Sequence, residues 1–194
     1  VWISEMMLQQ TRVATVLDYY DRWMKALPSI PSVAAANEAT ILKLWEGLGY
    51  YARARNIHRA AKQICEQHAG EFPNDYEAIR QLPGIGPYTA GAVASIAFEQ
   101  DRPVVDGNVI RVLCRLLNLD ADPKTGSTQK KLWQVATDWL PKGHARNFNK
   151  GLMELGETVC HVQQPSCLLC PIQPRPNRNG LFSSSKYGVI KLGR

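Results

Sequence analysis

The sequence predicts an all-α protein. Apolar residues recur with the 3.6-residue period over most of the chain, and no stretch alternates with a convincing strand period. Short Pro, Gly or Asn/Asp breaks separate the periodic runs. The first run, residues 3–26, reads as one long helix. Residues 38–46 form the next, with Asn37 placed to cap it or Ser32 its approach. Helices over 52–69 and 75–81 lead to a glycine-rich break, after which Pro87 opens a helix over 87–99. Residues 107–117 follow. A helix over 128–139 has a cap available between Thr125 and Ser127, and 146–158 completes the set. No repeat of solenoid period is present.

From Gln173 the composition changes: Pro174, Pro176, Asn177, Asn179, Gly180, three serines and no acid. This predicts an unpacked tail over 173–194, and an extraneous C-terminus is the alternative source of such a segment.

The 194 residues suffice for one good core or two small lobes, and 45% hydrophobic with 21% charged residues is the balance of an ordinary soluble globule. No run approaches the roughly 20 apolar residues that a helical membrane crossing needs. The chain begins at Val1 inside a helical pattern, which reads as a fragment whose natural start lies upstream. The net charge of +6 is carried largely by Arg175, Arg178, Lys186, Lys191 and Arg194, since no acid follows Glu157. The body is close to neutral, so the overall charge does not itself argue for a nucleic-acid partner. Arg53, Arg55, Arg59 and Lys62, then Lys130 and Lys131, are either phosphate contacts or solvated helix faces. Cys65 and Cys114 stand alone in apolar settings as small core residues.

The most informative stretch is Leu82-Pro83-Gly84-Ile85-Gly86-Pro87-Tyr88-Thr89-Ala90-Gly91. Two glycines permit a tight turn with positive φ between two helices. Such a turn presents free N–H groups and a helix N-terminus to an anion, and a Cβ on either glycine is expected to block a phosphate. The residues alone leave two readings open, an anion grip or merely a tight helical hairpin.

The literal string closely resembles the helix-hairpin-helix of the base-excision glycosylases, and Val104 to Val112 follows at that family's interval. Ser4 to Thr11, Gly47 to Arg55 and Asn147 to Gly156 are similar to the MutY family within the endonuclease III superfamily. Four motifs in one order cover about residues 1–170. The resemblance implies a two-lobed helix-hairpin-helix DNA glycosylase fold with a C-terminal cysteine loop. Residues 12–117 would form a six-helix lobe, and 1–11 plus 118–172 a second lobe, with the active site in the cleft.

It also implies base-excision repair: removal of adenine mispaired with 8-oxoguanine or guanine by hydrolysis of the N-glycosidic bond. Bifunctional relatives carry a lysine after the hairpin that forms a Schiff base with the sugar. Here that position is Tyr88, and a phenol cannot form an imine, so the reaction should stop at base release. By resemblance Glu5 delivers a proton to N7 of the flipped adenine, as a carboxylic acid of raised pKa shielded by Met6, Met7 and Leu8. Without the resemblance it would be an ordinary helix glutamate. Asp106 supplies an anion for the oxocarbenium-like sugar, and also suits the N-cap of the helix at Gly107. Tyr88 and Asn108 complete the catalytic set. Gln9, Gln10 and Tyr50 match positions that wedge into the base stack, and Gly84 and Gly86 grip the backbone. Otherwise the glutamines are a polar helix face and Tyr50 a core ring.

Cys160-x6-Cys167-x2-Cys170 matches three of the four ligands of the family's [4Fe-4S] cluster, but the expected fourth position is Pro176. A labile or three-iron cluster, a borrowed ligand such as His161, or three free thiols are the alternatives. The implied partner is double-stranded DNA holding A:8-oxoG or A:G mispairs, bound by a monomer without membrane association. The compartment would be the nucleus or mitochondrion in a eukaryote, the cytoplasm in a bacterium. The family's C-terminal 8-oxoguanine reader and its segment before Val1 are not in this chain. Two rivals remain: a thymine or uracil mismatch glycosylase, which would not need N7 protonation, and a catalytically inactive DNA-binding fragment.

Overall fold

The computed structural model describes residues 1–172, so the expectations for the tail and for Pro176 lie outside the described residues. Ten α-helices and one short 3-10 turn are present among them, with no strand. The all-α expectation holds. The run over 3–26 is two helices, α1 (Trp2–Leu8) and α2 (Val13–Ala26). The reason lies in the backbone. The carbonyls of Met6, Met7 and Gln9 accept hydrogen bonds from the Arg53 guanidinium at 3.2, 2.7 and 2.6 Å, and Gln10 takes φ +55°. A left-handed residue ends a helix.

The next element, α3 (Ile30–Ala35), has no counterpart in the sequence reading because six residues with one buried side chain, Val33, show no period. Its signal was local: Ser29 and Ser32 form a reciprocal capping box. Asn37 caps α4 (Glu38–Trp45), accepting from the Thr40 N–H at 2.7 Å. Then come α5 (Ala52–Gln67), α6 (Tyr76–Arg80) capped by Asp75, and α7 (Pro87–Phe98). Beyond them lie α8 (Gly107–Leu116) capped by Asp106, α9 (Gly126–Asp138) capped by Thr125, and α10 (Ala145–Thr158). The 3-10 turn is Cys167–Leu169.

Contacts divide the chain into two units, Val1–Phe98 and Glu99–Arg194, the second described as far as residue 172. In the first, α1 packs on α2, α5 and α7; in the second, α8 packs on α9 and α10. In the first unit, α5 buries Ala54, Ile57, Ala60, Ala61 and Ile64, and Trp23 meets Trp45 edge-on with ring centroids 5.7 Å apart. The short side chains of α7, buried from Thr89 through Ser95, let neighbouring helices approach its whole girth. In the second unit, Val109, Val112 and Leu113 of α8 pack with Leu132, Ala136, Leu152 and Leu155. Among the described residues no helix is long and apolar enough to cross a membrane.

Candidate active site

Glu5 lies on the buried face of α1, only 9% exposed, beside fully buried Met6 and Met7 in the sequence and near the hairpin end of α7. Pro87 opens α7 and Tyr88 follows, so the packing of α7 on α1 brings the phenol to the carboxylate. The Tyr88 hydroxyl donates to Glu5 Oε2 at 2.9 Å. The structure thus joins two of the four predicted catalytic residues. Burial leaves the carboxyl group little contact with water.

The predicted wedge residues lie between these two in sequence and differ in setting. Gln9 is half-buried, its Nε2 donating to Thr89 Oγ1 at 3.3 Å and to Met6 Sδ at 3.4 Å. Gln10 is exposed at φ +55°, and Tyr50 is 64% exposed at φ +48°. Tyr50 is therefore not a core ring, and the glutamines are not a helix face, because α1 has already ended at Leu8.

The two hairpin glycines serve different needs. Gly84 has φ +78°, and a Cβ there would sit 2.6 Å from Asn56 Nδ2. Asn56, held by the Arg59 guanidinium, fills the space under the turn. A Cβ on Gly86 would meet nothing within 4 Å. The glycine at 84 thus also answers to backbone conformation and to Asn56. Both glycines are exposed, and Ile85 between them is buried and anchors the turn.

In the second unit Asp106 caps α8. Its Oδ1 accepts from the Val109 N–H at 2.7 Å and its Oδ2 from Asn108 Nδ2 at 3.2 Å. Arg111, one turn on, donates to Asn108 Oδ1 at 2.8 Å, to the Gly156 carbonyl at 2.6 Å and to the Cys160 carbonyl at 2.6 Å. Gly156 is required at this crossing, since a Cβ would lie 2.5 Å from Asn108 Cβ. Buried Asn149 ties the approach to Asp106, accepting from the Val104 N–H at 3.2 Å and donating to the Arg102 carbonyl at 2.8 Å.

The cysteine loop leans on α8 through Arg115, which donates to Cys160 Sγ at 3.1 Å, to the His161 carbonyl at 2.7 Å and to the Val162 carbonyl at 3.1 Å. Burial pushes the Cys167 thiol up, the neighbouring Cys160 and Cys170 push it further, and Arg115 opposes them. The three sulfurs are close enough to feel one another. Yet among the described residues no group of three or more His, Cys, Asp or Glu is arranged to hold a metal ion. A four-thiolate cluster needs one donor more than this loop has, so the residues described do not fit the [4Fe-4S] group.

Arg111, Arg115, Asn149 and Asn56 are functional positions that the sequence alone does not single out. Arg53, grouped by sequence with Arg55, Arg59 and Lys62 as a phosphate contact or solvated face, is only 6% exposed. The signal was its place on the apolar stripe of α5, with Ala54, Ile57, Ala61 and Ile64. Asn149 interrupts the α10 stripe of Ala145, Leu152 and Leu155 in the same way.

A family model of HhH-GPD superfamily base excision DNA repair proteins matches residues 3–137. The chain belongs to this superfamily. It is similar to the adenine DNA glycosylase of Rattus norvegicus, 49% identical over 174 residues, covering 89% of this chain and 34% of that protein. The Homo sapiens adenine DNA glycosylase is 47% identical over 174 residues, with 89% and 32% covered. That of Buchnera aphidicola subsp. Baizongia pistaciae is 42% identical over 172 residues, with 89% and 48% covered. The chain therefore spans about a third of the length of its mammalian relatives.

Among solved structures, a thermostable thymine-DNA glycosylase aligns with TM-score 0.78 at 29% identity, covering 88% of this chain and 78% of that one. A trapped endonuclease III–DNA covalent intermediate aligns with TM-score 0.77 over the same shares at 24% identity, a likeness of fold. The helix-hairpin-helix glycosylase fold expected from sequence is thus the fold present.

The glycine geometry yields a direct contrast. Gly84→Ala should destabilise the chain by about 1 kcal/mol or more, since both φ and Asn56 oppose a Cβ. Gly86→Ala should stay within about 0.5 kcal/mol of the parent. Urea unfolding of the two variants checks this, and equal losses would contradict it.

Proposed function

We propose that this chain carries the catalytic part of an adenine DNA glycosylase that removes adenine from double-stranded DNA by N-glycosidic hydrolysis without cutting the strand. The observation that carries the reading is the buried Glu5 carboxyl group in contact with the Tyr88 hydroxyl, at the position where a strand-cleaving relative would have its lysine. Kinship with relatives named adenine DNA glycosylases, at 42 to 49% identity, supports the choice of base.

In this reading the adenine is extruded from the duplex at a cost of roughly a few kcal/mol, offset by Gln9, Gln10 and Tyr50 entering the vacated stack. Glu5 gives its proton to N7. The bond from N9 to the sugar C1′ then breaks, and the electron pair leaves with neutral adenine. The Asp106 carboxylate, oriented by Asn108, stabilises the positive charge left on the sugar. Water adds at C1′ and loses a proton, leaving an abasic site. A lysine would have trapped that sugar as an imine and broken the strand, and Tyr88 has no amine with which to do so.

The mispairs are adenine opposite 8-oxoguanine or guanine, and the enzyme acts as a monomer. It works in the nucleus or mitochondrion if the source is eukaryotic, in the cytoplasm if bacterial. Residues Gly84 to Gly86 and the N-terminus of α7 receive a backbone phosphate. No step runs through an iron–sulfur cluster. With three thiols in the loop, the chain is expected to retain fewer than four iron atoms when purified without oxygen. Metal analysis giving four per chain would contradict this.

The reaction itself is tested by single-turnover base release from duplexes that present adenine opposite 8-oxoguanine, or thymine opposite guanine. Free adenine should appear, the strand should break only after alkali, and borohydride should trap no protein–DNA adduct. Release of thymine instead of adenine would favour the mismatch-thymine alternative, and breakage without alkali would overturn the monofunctional assignment.

A further inference from the structure

Arg53 sits where a charged side chain is costly to place. It is 6% exposed, and among the described residues no carboxylate pairs with it. Its charge is met by oxygen dipoles instead. One terminal nitrogen donates to the carbonyls of Met6, Met7 and Gln9 at 3.2, 2.7 and 2.6 Å and to Thr11 Oγ1 at 3.2 Å. The other donates to the carbonyls of Leu48 and Gly49 at 3.1 and 3.2 Å. The guanidinium carbon lies 5.2 Å from the centre of the Trp45 ring and 5.5 Å from that of Tyr50. A negative helix end and aromatic faces are suited to a cation that has no counter-ion.

The two groups of carbonyls have one thing in common. Gln9 O precedes Gln10, at φ +55°, and Gly49 O precedes Tyr50, at φ +48°. Both are non-glycine residues held in the left-handed region, a conformation that persists only where the surroundings over-determine it. The same guanidinium fixes the peptide immediately before each of them.

We propose that Arg53 is the positioning residue that locks the Gln9–Gln10 turn to the Leu48–Tyr50 turn, so that Gln10 and Tyr50 enter the base stack as one preset unit. This rests on the reading of Gln10 and Tyr50 as wedge residues. The planar fork makes it possible, because its two nitrogens reach two chain segments at once. An ammonium is a single point with three donors and cannot span both turns.

The test uses saturating protein and a duplex with adenine opposite 8-oxoguanine, carrying 2-aminopurine beside the adenine as a fluorescent report of unstacking. Adenine release is followed in single turnover on the same duplex. Arg53→Lys should fold, lose most of the fluorescence rise and release adenine roughly 10- to 100-fold more slowly, the scale of loss for misplaced binding groups. In a Gln10→Ala/Tyr50→Ala background the same change should cost less than about twofold, because the groups it positions are gone.

Equal losses in both backgrounds, or none in either, would overturn the proposal. If Gln10→Ala/Tyr50→Ala itself leaves fluorescence and rate unchanged, the wedge reading fails and takes the proposal with it. Should Arg53→Lys not fold, Thr11→Val removes one acceptor and carries the same comparison at a smaller loss of about threefold.

Discussion

The first unit is organised around a cation that pairs with no carboxylate among the described residues. Because the Arg53 guanidinium draws on the carbonyls of Met6, Met7 and Gln9, α1 stops at Leu8 instead of running on into α2. That early stop has two consequences. The seven residues of α1 can bury Trp2, Glu5, Met6 and Met7 together against α5 and α7, and the chain beyond them turns outward. Glu5 stays dry while Gln10, five positions later, stays in solvent. The proposed chemistry on an extruded base would use this pairing, a shielded acid and an exposed wedge.

The second unit solves a similar problem with other means. Asp106 must end an extended segment, start α8 and keep its carboxylate oriented. Asn149 anchors the segment before it, the Val109 N–H takes one oxygen, and Asn108 takes the other. Arg111 then joins Asn108 to the carbonyls of Gly156 and Cys160. The cap leaves the carboxylate oriented by two donors, so capping α8 is compatible with the catalytic role proposed for Asp106.

Much of this was legible in the sequence, for identifiable reasons. Long periodic helices such as α5 and α8 announce themselves through their apolar stripes, and Asn37, Asp106 and Thr125 cap where the pattern places them. Tyr88 in a hairpin context points to a reaction without an imine, and its hydroxyl meets Glu5. What escaped depends on partners distant in sequence. The break after Leu8 is made by Arg53, more than forty residues away, and no local propensity encodes it. The purpose of Gly84 likewise rests on Asn56 from another helix. The short α3 escaped because one buried residue in six has no period. The cysteine loop kept its three-thiol pattern but gained no arrangement able to hold a metal among the described residues.

In the proposed reaction the buried carboxyl of Glu5 supplies the proton that makes adenine a leaving group. Single-turnover release from a duplex with adenine opposite 8-oxoguanine, measured for the chain and for Glu5→Gln alongside the duplex affinity of each, tests it most directly. Release should fall by roughly 10²- to 10⁴-fold, the usual worth of a positioned acid, while affinity changes little. Adenine release by Glu5→Gln at the parent rate would contradict it.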